Sequence, residues 1–247
     1  MDLEICEEKS ELSESMEYHE DERNAILSED KVRRNLLLAK KYMVESIYRS
    51  ANVEGLGFTF PETQSICDGM SVEGHNIESI EAVVDLKRAW QWVFNNYDSK
   101  VDVSMLKTLS SISGKNTVIN SGCLRDAYDE PIRVVLKDGK YYYPELPNEA
   151  EMELKMGAIM KTDDKLDAAF EMFCYVAKLQ AFNDGNKRVA TLVSNVIMIQ
   201  NGCGILSIPK EQTKRFYEEL TSYYETDDNR ELKKFLKDFC YTKVAGK

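Results

Sequence analysis

Histidine is nearly absent from this 247-residue chain: His19 and His75 are the only two, and neither has a partner at metal-ligand spacing. A histidine-built metal centre is therefore not expected, and both read as ordinary surface residues. Cysteine is present as Cys6, Cys67, Cys123, Cys174, Cys203 and Cys240, scattered without a CxxC spacing. That pattern excludes a zinc ribbon or a disulfide framework and reads as reduced thiols. Positive charge is also short, with 32 Lys and Arg against 43 Asp and Glu and a net charge of −11. A phosphate backbone needs a basic face, so nucleic acid is not expected as the main partner. There is no apolar run of spanning length, no signal-peptide core and no lipidation pattern, so the expectation is a cytoplasmic protein without a membrane partner.

What is there is the composition of a soluble globular protein, 43% hydrophobic and 30% charged. The length suits one large domain, or one domain with an extension. Residues 1–28 are dominated by Glu and Asp and read as an acidic, mobile extension. Ser28 then offers an N-cap, with Glu29 and Asp30 in the first turn. Val32, Leu36, Ala39, Tyr42 or Met43, and Ile47 continue a helical stripe to about Val53, stopped by Gly55 and Gly57.

Further along, Phe60–Cys67, Glu78–Tyr97 and Val103–Ile112 read as helices, with Trp90 in the core and Trp92 partly exposed. Between about Thr117 and Pro147 the period changes. Pro131–Leu136, Lys137-Asp138-Gly139-Lys140 and Tyr141–Pro144 predict a β-hairpin with an Asp-Gly turn. Leu166, Ala169, Phe170, Phe173, Val176 and Ala177 mark a helix, and Val189–Ile199 is apolar enough for one buried on nearly every side. After Asn201-Gly202 and a short extended link at Ile205–Pro209, two amphipathic helices are expected over 210–225 and 229–240.

The chain is organised around Gln180-Ala181-Phe182-Asn183-Asp184-Gly185-Asn186-Lys187-Arg188, a tight polar loop between the two central helices. Free N–H groups and the positive dipole end at a helix N-terminus attract an anion. Lys187 and Arg188 in the first turn are costly there unless something negative binds, and a phosphate is the obvious candidate.

This loop resembles the signature of Fic-domain proteins, His-x-Phe-x-(Asp/Glu)-Gly-Asn-(Gly/Lys)-Arg, with Gln180 in the place of the histidine. The resemblance implies a mainly α fold, a helical bundle around a central helix pair with one β-hairpin flap. It also implies ATP and Mg²⁺ as cofactors and transfer of AMP to a protein hydroxyl. Asp184 would hold Mg²⁺, Asn186 the α-phosphate, and Gly185 with its neighbours, Lys187 included, the backbone anion hole. Arg188 would take the distal phosphates and Phe182 would anchor the loop. Ser50-Ala51-Asn52-Val53-Glu54-Gly55 is similar to the family's inhibitory motif, (Ser/Thr)-x-x-x-Glu-(Gly/Asn), whose glutamate occupies the charge hole of the γ-phosphate. Gly122-x-Leu124-Arg125 and the hairpin resemble the flap, where Arg133, Val134, Val135 and Tyr143 would clamp a target segment by strand addition. The implied division is an extension over 1–28, an inhibitory-type helix over 29–55 and a Fic-like domain over 56–247.

Two departures matter. The family histidine is the general base, and Gln180 can hydrogen-bond a hydroxyl but cannot take its proton. Thr191 stands where many members carry a second arginine, so the clamp on Glu54 either falls to Arg188 or is weak. The implied function is an ATP–Mg²⁺-binding protein of adenylyltransferase type, with weak or absent transfer. The alternatives are a non-catalytic nucleotide- or protein-binding module and a Doc-like phosphotransferase.

Overall fold

The computed structural model describes residues 27–137 and 139–244. Its centre is a pair of helices, α7 (Lys165–Leu179) and α8 (Asn186–Gln200), which make the most extensive helix–helix contact in the fold. Asp164 caps α7, accepting from the N–H groups of Leu166 and Asp167 at 3.0 and 3.1 Å. In α8 every residue from Arg188 to Ile199 is buried. A helix apolar on all sides must be enclosed, and its few polar side chains must find partners inside. They do: Ser194 Oγ donates to the Ala190 carbonyl at 2.8 Å, and Asn195 Nδ2 to the Thr191 and Leu206 carbonyls at 2.8 Å. The mainly α expectation, and the buried position of Val189–Ile199, both hold.

Helices α4 (Ile77–Asn96) and α5 (Val103–Ser113) cover α8, while α6 (Glu149–Met160) and α10 (Arg230–Phe235) pack on α7. Trp90 is 1% exposed in this core and Trp92 is half-buried, as expected. The short helix α3 (Phe60–Cys67) starts with a capping box between Thr59 and Glu62.

The N-terminal stripe forms two helices rather than one. Residues 27–41 (α1) and α2 (Met43–Val53) are separated at Tyr42, whose ψ of 9° leaves helical geometry. Ser28 lies inside α1, because the helix already includes Leu27; it is not a cap. At the other end α2 closes with a Schellman turn. Gly55 takes φ +77°, its N–H bonds the Asn52 carbonyl at 3.0 Å, and Leu56 N–H bonds that of Ala51 at 3.0 Å. That turn fixes Glu54 at the last residue of the helix end, facing α8. The acidic stretch, apart from residues 27 and 28, lies outside the described residues, as do Cys6, His19 and Asp138 of the hairpin turn.

The hairpin is present but short: β1 (Val134–Val135) pairs antiparallel with β2 (Tyr141–Tyr142), in the register Val134 to Tyr142. Three features are not in the sequence reading. Helix α6 is one: Met152, Met156 and Ile159 are buried, but Leu154 is 77% exposed and Gly157 interrupts, so no clean stripe marks it. The second is a small sheet, where the expected extended link is β3 (Ile205–Leu206), paired with β4 (Tyr241–Thr242). The third is His75, which is not an ordinary surface residue. Its ring stacks on buried Phe58 at 3.9 Å and its Nε2 lies 3.4 Å from Glu62. The cysteines Cys67, Cys123, Cys174, Cys203 and Cys240 are free thiols.

Candidate functional site

Gln180 ends α7 in the left-handed region, φ +49°, a conformation that costs a side-chain-bearing residue about 1–2 kcal/mol. Buried hydrogen bonds hold it there. Arg125, 5% exposed, donates from Nε to the Gln180 carbonyl at 2.6 Å and from its backbone N–H to the Ala181 carbonyl at 2.9 Å. The Gln180 side chain is equally committed. Its Nε2 donates to the Ala177 carbonyl at 2.8 Å and to Tyr224 Oη at 2.9 Å, and its Oε1 accepts from Asn186 Nδ2 at 3.1 Å. No atom of it can act as a base near neutral pH.

The loop closes on itself through Asn186, whose Oδ1 accepts from Phe182 N–H at 3.0 Å while Nδ2 donates to the Phe182 carbonyl at 2.8 Å. Phe182, 1% exposed, anchors it from below. Asn186 therefore offers a ligand its backbone N–H rather than its amide. Asp184 accepts from Gly185 N–H at 2.6 Å through Oδ1, meets Arg188 Nη2 at 3.4 Å through Oδ2, and is 63% exposed. Gly185 has φ +78°, and a Cβ there would lie 3.0 Å from the Arg188 guanidinium, so the close approach requires glycine.

Helix α8 has no side-chain N-cap, and its first turn carries Lys187 and Arg188 with no acid. Arg188 is 6% exposed. It donates from Nη1 to the Ser113 carbonyl at 2.5 Å and approaches Asp184 Oδ2 at 3.4 Å, while its Nε has no partner. The expected pairing of Arg188 with Glu54 is not made. Glu54 Oε2 faces Lys187 Nζ at 3.6 Å, and its buried Oε1 is left without a hydrogen bond. The reason is steric assignment: the Arg188 head is already taken by Ser113 and Asp184, and Lys187 is the cation that reaches α2. Thr191 only returns its hydroxyl to the Lys187 carbonyl at 2.9 Å. Burial pulls the Lys187 ammonium down, but Glu54, Tyr217 and Asp184 outweigh it and hold the group above its ordinary pKa.

Helix α9 (Thr213–Thr226) supplies two site residues that the sequence did not mark. Tyr217 Oη donates to the Val53 carbonyl at 2.7 Å, and its ring centre lies 5.9 Å from Lys187 Nζ. Tyr224 holds Gln180 and stacks on Tyr142 of the hairpin at 5.0 Å. Neither sits in a recognisable motif; they read as two more aromatics on an amphipathic helix.

Three spaces meet at this first turn. One of about 390 Å³ is lined by Ile132–Val135, Gln180, Asp184, Asn186, Lys187, Tyr217, Leu220 and Tyr224, among others. The structure thus brings Arg133, Val134 and Val135 over the loop, whereas Tyr143 faces spaces elsewhere. A second, about 190 Å³, is bounded by Glu54, Glu78, Asp184 and Arg188 with apolar Leu56, Ala82 and Leu86. The third is a gap of about 10 Å³ between Ser50, Glu54, Lys187, Arg188 and Thr191. Gly55 adds no side chain to any of them; it shapes the turn behind Glu54. Among the described residues no cluster of three metal-ligand side chains occurs and no helix is long and apolar enough to cross a membrane.

Residues 102–198 match the sequence profile of the Fic/DOC family. A Fic domain containing signaling protein from Bacteroides thetaiotaomicron has a similar structure: TM-score 0.66, 17% identity, covering 77% of this chain and 74% of that one. The Fic-1 fragment from C. elegans gives TM-score 0.66 at 15% identity, over 87% of this chain and 70% of that one. A Fic family protein from Desulfovibrio desulfuricans gives 0.62 at 15%, over 96% and 71%. At these identities the likeness establishes the fold. No curated protein matches the sequence.

Proposed function

We propose that this chain, which carries a Fic/DOC domain over residues 102–198, binds ATP–Mg²⁺ at the first turn of α8 in a site of the protein-adenylylating type. Its transfer step is weak or absent because Gln180 replaces the general base. The observation that supports this reading most is the uncapped N-terminus of α8, carrying two cations, beside the buried and unpartnered Nε of Arg188. An anion supplies what those donors lack. Asp184, largely exposed, suits Mg²⁺, which is commonly held by one or two carboxylates together with phosphate oxygens.

Bound ATP–Mg²⁺ would supply an electrophilic α-phosphorus and a pyrophosphate leaving group. The chain's own part is positioning and charge. The N–H groups of the α8 first turn orient phosphate oxygens, Arg188 neutralises them, and Arg133–Val135 offer an unpaired strand edge to a target segment above Gln180. Gln180 can orient an incoming hydroxyl but cannot take its proton; loss of a positioned base costs about 10²–10⁴-fold in rate. Glu54, held at the helix end by the Schellman turn, restrains the distal-phosphate end.

A second reading, a non-catalytic nucleotide-binding module, is favoured by one observation: the Gln180 amide is engaged by Ala177, Tyr224 and Asn186, as a structural residue would be. Calorimetry with Mg-ATP tests the binding that both readings share. Binding by Glu54→Gly that is lost in Glu54→Gly/Arg188→Ala supports the site; no binding by either overturns it. Label transfer from α- against γ-labelled ATP then separates AMP transfer, phosphate transfer and no transfer.

A further inference from the structure

We propose that the cleft behind the hairpin, away from the motif loop, docks a proline-rich segment of a partner protein, with a Lys or Arg of that segment on Glu145. The cleft holds about 970 Å³ and is walled by Tyr142 and Tyr143 of the hairpin, Tyr175 of α7 and Tyr223 of α9. The stacked rings of Tyr142 and Tyr224 stand between it and the 390 Å³ space, since Tyr142 lines the one and Tyr224 the other.

Most of the charge in this lining is neutralised within the protein. Lys178 Nζ meets Asp227 at 2.5 Å and lies 4.6 Å from the Tyr223 ring centre. Arg230 pairs with Asp228, and Glu171 with Lys233 and Asn229. What remains is one carboxylate, Glu145, one ammonium, Lys155, and the four phenols. Among the described residues none of these four hydroxyls, nor either charged head, has a hydrogen-bond or ion-pair partner. Tyr223 carries the point furthest: it is only 8% exposed and lines the cleft, yet its hydroxyl makes no bond within the protein. A buried tyrosine hydroxyl ordinarily finds a partner, and here the cleft is where one can enter. Burial holds the phenols of Tyr142, Tyr175 and Tyr223 above their ordinary pKa, so they keep their protons and donate.

The cleft thus offers hydroxyl and ammonium donors, aromatic faces and a single free acceptor charge. The complementary ligand is rich in carbonyl oxygens, poor in N–H groups, and carries compact apolar rings and one cation. A polyproline II segment has that chemistry: its carbonyls are not bonded internally, each proline lacks an N–H, and such segments dock in aromatic-lined grooves. A helix does not, because it consumes its own carbonyls. The occupant belongs to another protein, since residues 1–26 and 245–247 contain no proline and the former are dominated by Glu and Asp, the charge of Glu145 itself.

The test is fluorescence anisotropy of the full chain with a labelled peptide of Pro-Pro-Leu repeats ending in arginine. Two control peptides replace every proline by alanine, or the arginine by glutamate. The expected result is saturable binding of the first peptide with a Kd below about 1 mM, and binding at least about threefold weaker for either control. Tyr223→Phe should weaken the first peptide about three- to tenfold. It should leave the melting temperature in place, because the lost hydroxyl holds nothing within the protein. Glu145→Gln should remove the preference for arginine over glutamate. An alanine peptide bound as tightly as the proline peptide overturns the proposal in favour of a helical occupant. Displacement of the peptide by an equal concentration of free arginine overturns it in favour of a small-cation pocket. No saturable binding, or binding unmoved by both Tyr223→Phe and Glu145→Gln, overturns the docking site itself.

Discussion

Arg125 donates from Nε to the Gln180 carbonyl at 2.6 Å, while its Nη2 reaches the Glu145 carbonyl at 3.0 Å, so one buried cation joins the end of the hairpin to the motif loop. Burial pulls its pKa down, but an arginine remains charged throughout the working range. Arg125→Met removes both bonds and leaves the Gln180 carbonyl without its donor. The expected loss is about 2–3 kcal/mol of unfolding free energy, read from denaturant melts. A loss below about 0.5 kcal/mol, the range of a surface substitution, would show that the loop does not depend on this bond.

Gly185→Ala is expected to cost about 1–2 kcal/mol for the positive φ alone. It should also push on the Arg188 guanidinium, 3.0 Å from the added Cβ. Mg-nucleotide affinity should therefore fall by more than the modest stability loss suggests. Unchanged affinity and melting temperature would mean that the loop relaxes freely around position 185.

Lys187 sits above its ordinary pKa because Glu54, Tyr217 and Asp184 outweigh burial. A lysine whose folded pKa exceeds its unfolded value of about 10.4 stabilises the fold fully below that pH. The contribution is lost as pH rises through the folded value. The stability gap between wild type and Lys187→Met should therefore be constant from about pH 8 to about pH 10, and then narrow. A gap that stays flat in alkaline melts would show that the pair with Glu54 contributes nothing.

Much of this site was legible because its chemistry is local. Gln180 to Arg188 carry the loop, the uncapped helix end with its two cations and a glutamine at the head of the motif within nine consecutive positions, and Val189–Ile199 announces its own burial. Ser50 to Gly55 likewise carry the helix stop that fixes Glu54. What the sequence could not show is which cation faces which anion across helices. Lys187 and Arg188 are adjacent, and only the packing of α2 and α5 against α8 sends one to Glu54 and the other to the Ser113 carbonyl. Tyr217 and Tyr224 were hidden for the same reason, since α9 meets the site across 30 or more residues of chain. Helix α6 escaped because Leu154 points outward and blurs its stripe.

The central question is whether the site lacks only its base. Transfer of label from α-labelled ATP to protein should be compared for wild type, Gln180→His, Glu54→Gly and the double variant. An imidazole titrating near neutral pH at position 180 supplies the base, and removal of Glu54 opens the distal-phosphate end. The expected wild-type rate is about 10²–10⁴-fold below that of the double variant, with each single variant falling short of it. A double variant that binds Mg-ATP yet transfers nothing, or a wild type that transfers strongly, would contradict it.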